Sequence, residues 1–500
     1  MSIRFGTASL IKTTARLLSR GQNKMSATLS RPPTPLRDLP TQPEDERFID
    51  KGAACEWAEE YRPGRFHPLH FGDTLGSGRY RVIRKLGYGS YSTVWLAVNA
   101  KAPPKYVAVK VLLAKYSLPA RPCPEIDIAR TLATFTDTGS RHILKLLDTF
   151  QQEGPNGVHT CLVYEPMAGT VASLVTTFPG NFPVPGQVFD YRPARYEKWM
   201  GKRILKHTLL GLQFLHQNNV VHSDLQPGNL LFSPHHLDDV PEADLTQSTT
   251  DETTVSLQRK DGKEDKWGPR YLALPQSLHK YANLEQDMCI KISDLGAAFL
   301  KGNPPNKIVT PVALRSPEVI LGRPVDEKID IWSFGCLVFE LMTGTRLFPV
   351  DDLGSQEEVD DDHFLALHDV LGELPEDIAA GWTRRNLWFG PAGERLNPYA
   401  PKPSVETGSK HDDEVNGGHE VGNQDSRHSG IPADLELPSE EYIITPSPPL
   451  EQLFDENKPD TIDEDEARVI TTLLRRVLRY NPADRPSAAD LLAEEWFRDA

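Results

Sequence analysis

Short runs of β-branched and aromatic residues, punctuated by glycine and proline, fill the chain from Tyr80 to Val111. Tyr80-Arg81-Val82-Ile83, Thr93-Val94-Trp95-Leu96-Ala97-Val98 and Tyr106-Val107-Ala108-Val109-Lys110-Val111 each have strand length and composition, which predicts a small antiparallel sheet. The period then changes. Between Tyr196 and Asn219 the apolar residues Met200, Ile204, Leu205, Leu209, Leu212 and Leu215 recur at helical spacing, as do those from Ile329 to Met342, so the second half is expected to be mainly helical. Two stretches break the pattern. Residues 235–285 are polar and rich in Asp and Thr, and residues 398–465 are rich in Pro, Gly, Ser, His and acids. Both read as mobile surface insertions, because little apolar area is available there to offset the entropy of ordering.

Composition narrows the class. The 500 residues are 39% hydrophobic and 25% charged, which fits a soluble globular enzyme and excludes collagen-like, coiled-coil and wholly disordered chains. No apolar run is long enough to span a bilayer: Ile331 to Phe339 stops at Glu340, and the uncharged run from Pro166 to Phe189 is broken by Pro179, Pro183 and Pro185. Five widely spaced cysteines without a CxxC pair indicate reduced thiols rather than a disulfide framework or a zinc site.

Charge is unevenly placed. The net charge is −15, yet residues 1–37 carry seven Lys or Arg and no acid. With its spaced apolar residues that segment has the makeup of a mitochondrial transit peptide, or equally of a basic tail, and residues 1–60 as a whole read as extension and linker. A net-acidic body argues against general nucleic-acid binding and favours cationic peptides as partners.

Candidate chemistry lies in four places. Leu86-Gly87-Tyr88-Gly89-Ser90-Tyr91-Ser92-Thr93-Val94 joins two strands, so glycines without a Cβ can close over phosphates; alone it is more often just a turn. Lys110 lies within an apolar strand, where an ammonium needs an anionic partner, and Glu125 is the first acid after it at the head of a plausible helix. His222-Ser223-Asp224-Leu225-Gln226-Pro227-Gly228-Asn229 puts a carboxylate and an amide five positions apart on one tight loop. Asp294, in Ile292-Ser293-Asp294-Leu295-Gly296, ends a strand before a glycine and suits a hard-oxygen metal contact. In this order the four describe phosphoryl transfer: phosphates held, a hydroxyl oriented by an acid, and a divalent metal given oxygen ligands.

These landmarks resemble the eukaryotic protein-kinase family over about residues 77–500. The resemblance implies an α+β, bilobal fold, with a small β-sheet lobe over 77–165 and a larger, mainly helical lobe over 166–500. It implies ATP and Mg2+ as cofactors. Leu86, Gly87, Gly89, Val94 and Ala108 would then cover the nucleotide, with Lys110 on its phosphates and Glu125 bracing Lys110. Tyr164, Glu165 and Met167 would form the gatekeeper and hinge. Asp224 would be the catalytic base, and Asn229 and Asp294 the metal ligands. Glu318, in Leu314-Arg315-Ser316-Pro317-Glu318, would pair with Arg485 as a structural link.

A narrower resemblance is to the serine/arginine-rich protein kinases, particularly the fungal type, carried by Gly78-Arg79-Tyr80-Arg81-Val82-Ile83-Arg84-Lys85-Leu86-Gly87 and by the 70 positions between Asp224 and Asp294. It implies serine or threonine acceptors in Arg-rich proteins, a monomer, and the cytoplasm or nucleus. The basic N-terminal segment points instead to the mitochondrion. Asp362 and Asp369 match two acidic docking positions and fall on one helix face; a merely solvated charged run is the alternative.

Two departures matter. The usual Arg of the catalytic loop is Ser223, which cannot receive an activation-loop phosphate bidentately, so activity without loop phosphorylation is expected. The usual Lys is Gln226, which donates a hydrogen bond but brings no charge. They keep open a second reading, a pseudokinase or weakly active ATP-binding scaffold.

Overall fold

The computed structural model describes residues 35, 38–101, 103–117, 124–178, 194–351, 354–398 and 446–498. The basic segment 1–37, apart from Pro35, and the middle of the second insertion, 399–445, lie outside them, so the transit-peptide reading and most of that insertion are not addressed.

A six-stranded antiparallel sheet forms the small lobe. Its strands are β1 (Thr74–Leu75), β2 (Tyr80–Tyr88), β3 (Ser92–Asn99), β4 (Tyr106–Leu112), β5 (Leu146–Gly154) and β6 (Gly157–Tyr164), in the order β1-β2-β3-β4-β6-β5. Side chains alternate across β4. Val107, Val109 and Val111 enter one apolar layer with Val82, Trp95 and Val163, whereas Ala108 and Leu112 join the core shared with the large lobe. Lys110 takes its place between Ala108 and Leu112 and faces the cleft.

The large lobe is built on the helices Lys198–Gln217, Lys328–Thr343 and Glu464–Val477. In the first, Met200, Ile204, Leu205, Leu209, Leu212 and Leu215 are all buried, as the helical spacing predicts. The second is buried on almost every side and ends at Gly344, whose φ of 80° is the left-handed cap that glycine adopts without strain. A three-stranded sheet then positions the cleft loops: β7 (Gly169–Thr170), β9 (Leu230–Phe232) and β12 (Ile290–Ile292), with β9 central. β8 (Val220–Val221) pairs with β13 (Phe299–Leu300).

Three expectations are corrected here. The described end of the second insertion, 446–465, is not a loose loop: it holds the helix Leu450–Asn457, whose Leu450 and Phe454 are buried in the large-lobe core. Residues 235–285 are not a loose surface loop: they carry a hairpin, β10 (Thr254–Ser256) with β11 (Tyr271–Ala273), and pack Leu237, Leu245 and Leu278 against Ile83, Leu96 and Tyr106. The extension is not a linker to residue 60 either. Phe48, Tyr61 and Phe66 are buried, and Tyr61 and Phe66 cluster with Leu113 and with Leu272 of the insertion. A few well-placed large side chains supply the apolar area that the polar composition hides.

Candidate active site

Lys110 is where the two lobes meet. Its Nζ donates to Glu125 Oε1 at 2.7 Å and to Asp294 Oδ1 at 2.9 Å, so residues 184 positions apart converge on one ammonium. Glu125 opens the helix Pro124–Leu132, and its carboxylate also accepts from the Tyr164 hydroxyl at 3.3 Å. Burial alone would pull the Lys110 ammonium down, but the carboxylates of Asp294 and Glu125 outweigh it and hold the group well above the ordinary lysine range. Lys110 in turn keeps Asp294 below the ordinary aspartate range despite its burial.

The loop from His222 to Asn229 is fixed from below. Asp330, buried in the helix Lys328–Thr343, accepts from the backbone N–H groups of His222 and Ser223, each at 2.8 Å, and lies 2.9 Å from His216 Nε2. Two residues of the site have left-handed backbone, Ser223 and Asp294, both with φ near 61°. Such conformations persist where surrounding contacts over-determine them. Ser223 is so held: its hydroxyl donates to the Ala297 carbonyl at 2.8 Å, and its own carbonyl receives the Thr310 hydroxyl.

Asp224 is flanked by two amides. Gln226 Nε2 donates to Oδ1 at 2.8 Å, and Asn229 Nδ2 donates to Oδ2 at 2.9 Å and to the Asp224 carbonyl at 2.8 Å. Burial raises the Asp224 carboxyl above its ordinary value, with the Asn229 hydrogen bond acting against it. Leu230 pairs with Ile292, and Ser293 donates its N–H to the Asn229 carbonyl at 2.8 Å, which sets Asn229 beside Asp294.

Asn229 Oδ1 and the Asp294 carboxylate are hard oxygen donors of the kind a small divalent cation takes. Among the described residues no group of three or more His, Cys, Asp and Glu side chains forms a closed metal cage. Two such donors leave most positions of a small divalent cation to phosphate oxygens and water.

The positions expected to cover a nucleotide are adjacent. Gly87 pairs with Val94, the Gly89 N–H donates to the Ser92 carbonyl at 2.9 Å, and Ala108 pairs with Tyr164. Leu86, Val94, Ala108 and Tyr164 all belong to the core at the cleft. At the hinge the Glu165 carboxylate is taken by Lys291 Nζ, at 2.7 and 2.8 Å; Met167 follows, partly exposed. The distant pair Glu318 and Arg485 forms a bidentate bridge of 2.6 and 2.8 Å in the interior.

The docking pair separates. Asp362 is exposed on the helix Gln356–Leu371, but the Asp369 side chain is only 8% exposed: it lies 3.1 Å from Arg395 NH1 and accepts the Ser447 N–H at 3.2 Å. Those contacts occupy the Asp369 carboxylate, so Asp369 is less accessible than Asp362. Sequence reasoning missed Asp330 as the support of the His222–Asn229 loop; an acid set directly between Ile329 and the apolar pair Ile331-Trp332 was the available signal.

No helix among the described residues is long and apolar enough to cross a membrane. A family model described as protein kinase domain matches residues 80–258 and 279–497. The serine/threonine-protein kinase SRPK of Physarum polycephalum is 31% identical over 350 residues, 68% of this chain and 77% of that protein. Protein kinase dsk1 of Schizosaccharomyces pombe is 28% identical over 422 residues, covering 68% and 75%. A crystal structure of a kinase domain superposes with a TM-score of 0.51 at 22% identity, covering 86% of this chain and 98% of that one, a likeness of fold.

Proposed function

The chain belongs to the protein kinase family, as a serine/threonine kinase of the SRPK type, and from that premise we propose that Lys110, Glu125, Asp224, Asn229 and Asp294 carry transfer of the ATP γ-phosphoryl group to serine or threonine in Arg-rich proteins. The observation that carries the reading is the Lys110 ammonium held between Glu125 and Asp294 at 2.7 and 2.9 Å. In this account Lys110, steadied by Glu125, meets the phosphates, and Asp294 and Asn229 hold the cation. A bound magnesium ion would supply charge neutralisation on the phosphate oxygens. The Asp224 carboxylate, with its oxygens fixed by Gln226 and Asn229, orients the acceptor hydroxyl and accepts its proton. Gln226 does this by hydrogen bonding alone.

Substrate choice is read from charge. Residues 351–362 hold seven acids and no base, and Glu357, Glu358 and Asp362 are exposed on the helix Gln356–Leu371 or at its start. Such a surface attracts cationic peptides and speeds their encounter. Purified full chain, magnesium, ATP and an Arg-rich, serine-containing peptide test the proposal. Phosphoserine should form and should be lost with Asp294→Ala in a folded variant; unchanged turnover in that variant refutes the assignment.

A further inference from the structure

β2 carries the strand side of the Gly87–Gly89 turn; β1 covers its outer edge at Tyr80 and Arg81, and Gly72 and Asp73 bond Val82. An uncovered strand edge leaves backbone donors and acceptors unpaired and free to shift. Further along, the insertion takes the place of a neighbouring strand. The Gln247 N–H donates to the Ile83 carbonyl at 2.9 Å, Gln247 Oε1 accepts the Lys85 N–H at 3.0 Å, and the Gln276 N–H donates to the Lys85 carbonyl at 2.8 Å. The buried Gln247 amide is itself fixed, because its Nε2 donates to the carbonyls of Thr253 and Leu274 at 3.2 and 2.9 Å.

The side chain of the same residue is gripped by the extension. Lys85 is 0% exposed and ion-paired to Glu56, which is 2% exposed and accepts a hydrogen bond from the Tyr61 hydroxyl. The rings of Tyr88 and Trp95 lie 5.5 Å from the ammonium. Extension and insertion are also bound to each other: Phe48 bridges to Arg259, Arg47 reaches Asp265 at 3.0 Å, and Asn156 Nδ2 donates to both the Phe66 and Trp267 carbonyls. Lys85, two residues before Gly87, is therefore fixed through its N–H, its carbonyl and its side chain.

We propose that Glu56 and Gln247 are positioning residues that act through Lys85 to set the Gly87–Gly89 turn over the nucleotide. Glu56 and Gln276 lie outside the stretches matching the kinase-domain model, so nucleotide affinity depends on parts of the chain beyond that match. The inference rests on the nucleotide reading of the cleft. A displaced turn loses phosphate contacts without disturbing Asp224 or the peptide surface, so its effect falls on nucleotide binding.

The test is calorimetric titration of the full chain with magnesium ADP, together with steady-state kinetics and melting temperature, for Glu56→Gln, Gln247→Met and the control Arg47→Met. The two positioning variants should raise Kd and the KM for ATP about five-fold or more, leave the peptide KM unchanged, and respond partly to rescue by Glu56→Asp. Arg47→Met, which breaks the strap away from β2, should lower the melting temperature and leave Kd unchanged. If Glu56→Gln and Gln247→Met melt earlier but bind magnesium ADP as tightly as wild type, the clamp is only scaffolding and the inference falls. If the wild-type chain itself binds no magnesium nucleotide, the reading of the cleft falls first.

Discussion

Arg485→Met separates a buried ion pair that stabilises from one that is merely present. Both guanidinium NH groups of Arg485 bind Glu318, NH1 also reaches the Lys328 carbonyl at 3.0 Å, Nε reaches the Arg479 carbonyl at 2.8 Å, and NH2 reaches the Tyr480 carbonyl at 3.2 Å. The guanidinium carbon also lies 5.0 Å from the Trp332 ring centre. Exposures of 0% for Arg485 and 6% for Glu318 mean that water cannot replace these partners. Arg485→Met keeps most of the volume and leaves the Glu318 carboxylate buried without its cation, at a cost of about 3–5 kcal/mol. Replacing both residues by Met removes the stranded charge and leaves only the carbonyls that the single variant orphans as well. Urea unfolding followed by tryptophan fluorescence and by circular dichroism measures both, with coincident transitions required before a free energy is taken. The double variant should therefore be more stable than the single one. A single variant losing under about 1 kcal/mol, or a double variant at least as unstable as the single, refutes the reasoning.

Three further outcomes follow from the same structure. Thr310 is buried with its hydroxyl on the Ser223 carbonyl, so phosphatase-treated wild type should retain turnover; loss of activity on that treatment would show that a phosphate is needed. Burial, partly offset by Arg346, pushes the Glu340 carboxyl up from its ordinary 4.5 to about 6. The folded state prefers the protonated form, so this contribution to stability is complete below about 4.5 and lost as pH rises through about 6. Glu340→Gln should thus be more stable than wild type by about 1–2 kcal/mol at pH 7.5, the gap closing below pH 4.5, as urea midpoints at the two pH values will tell. Asp362→Lys should raise the KM for an Arg-rich peptide and leave that for ATP unchanged; peptide kinetics that stay flat remove the docking role.

How far the molecule was legible follows from where its interactions lie along the chain. Strand alternation and helical period exposed both lobes because β4 and the helix Lys198–Gln217 bury continuous faces. Asp224 and Asn229 were legible because five residues of tight loop leave them few ways to separate, and Lys110 because an ammonium in an apolar strand demands a carboxylate. The extension and first insertion were not. Tyr61, Phe66 and Leu245 stand singly among polar residues without a period, and the partners that bury them come from distant segments. Asp369 shows the converse limit. Helical spacing placed it on the face of Asp362, but spacing cannot reveal Arg395 and Ser447, which occupy its carboxylate.

Ser223 shows how such a departure can be read physically. An arginine there would hold a phosphorylated loop by charge. Here the Ser223 hydroxyl binds the Ala297 carbonyl near the start of the activation segment, and its carbonyl receives Thr310 near the end. Asp330 fixes the backbone N–H between them. One residue with left-handed backbone thus ties both ends of the segment to the catalytic loop through neutral hydrogen bonds, each worth roughly 1 kcal/mol net and each insensitive to salt and phosphatase. A latch of that kind needs no phosphate to form, which is the physical ground for expecting turnover to survive phosphatase treatment.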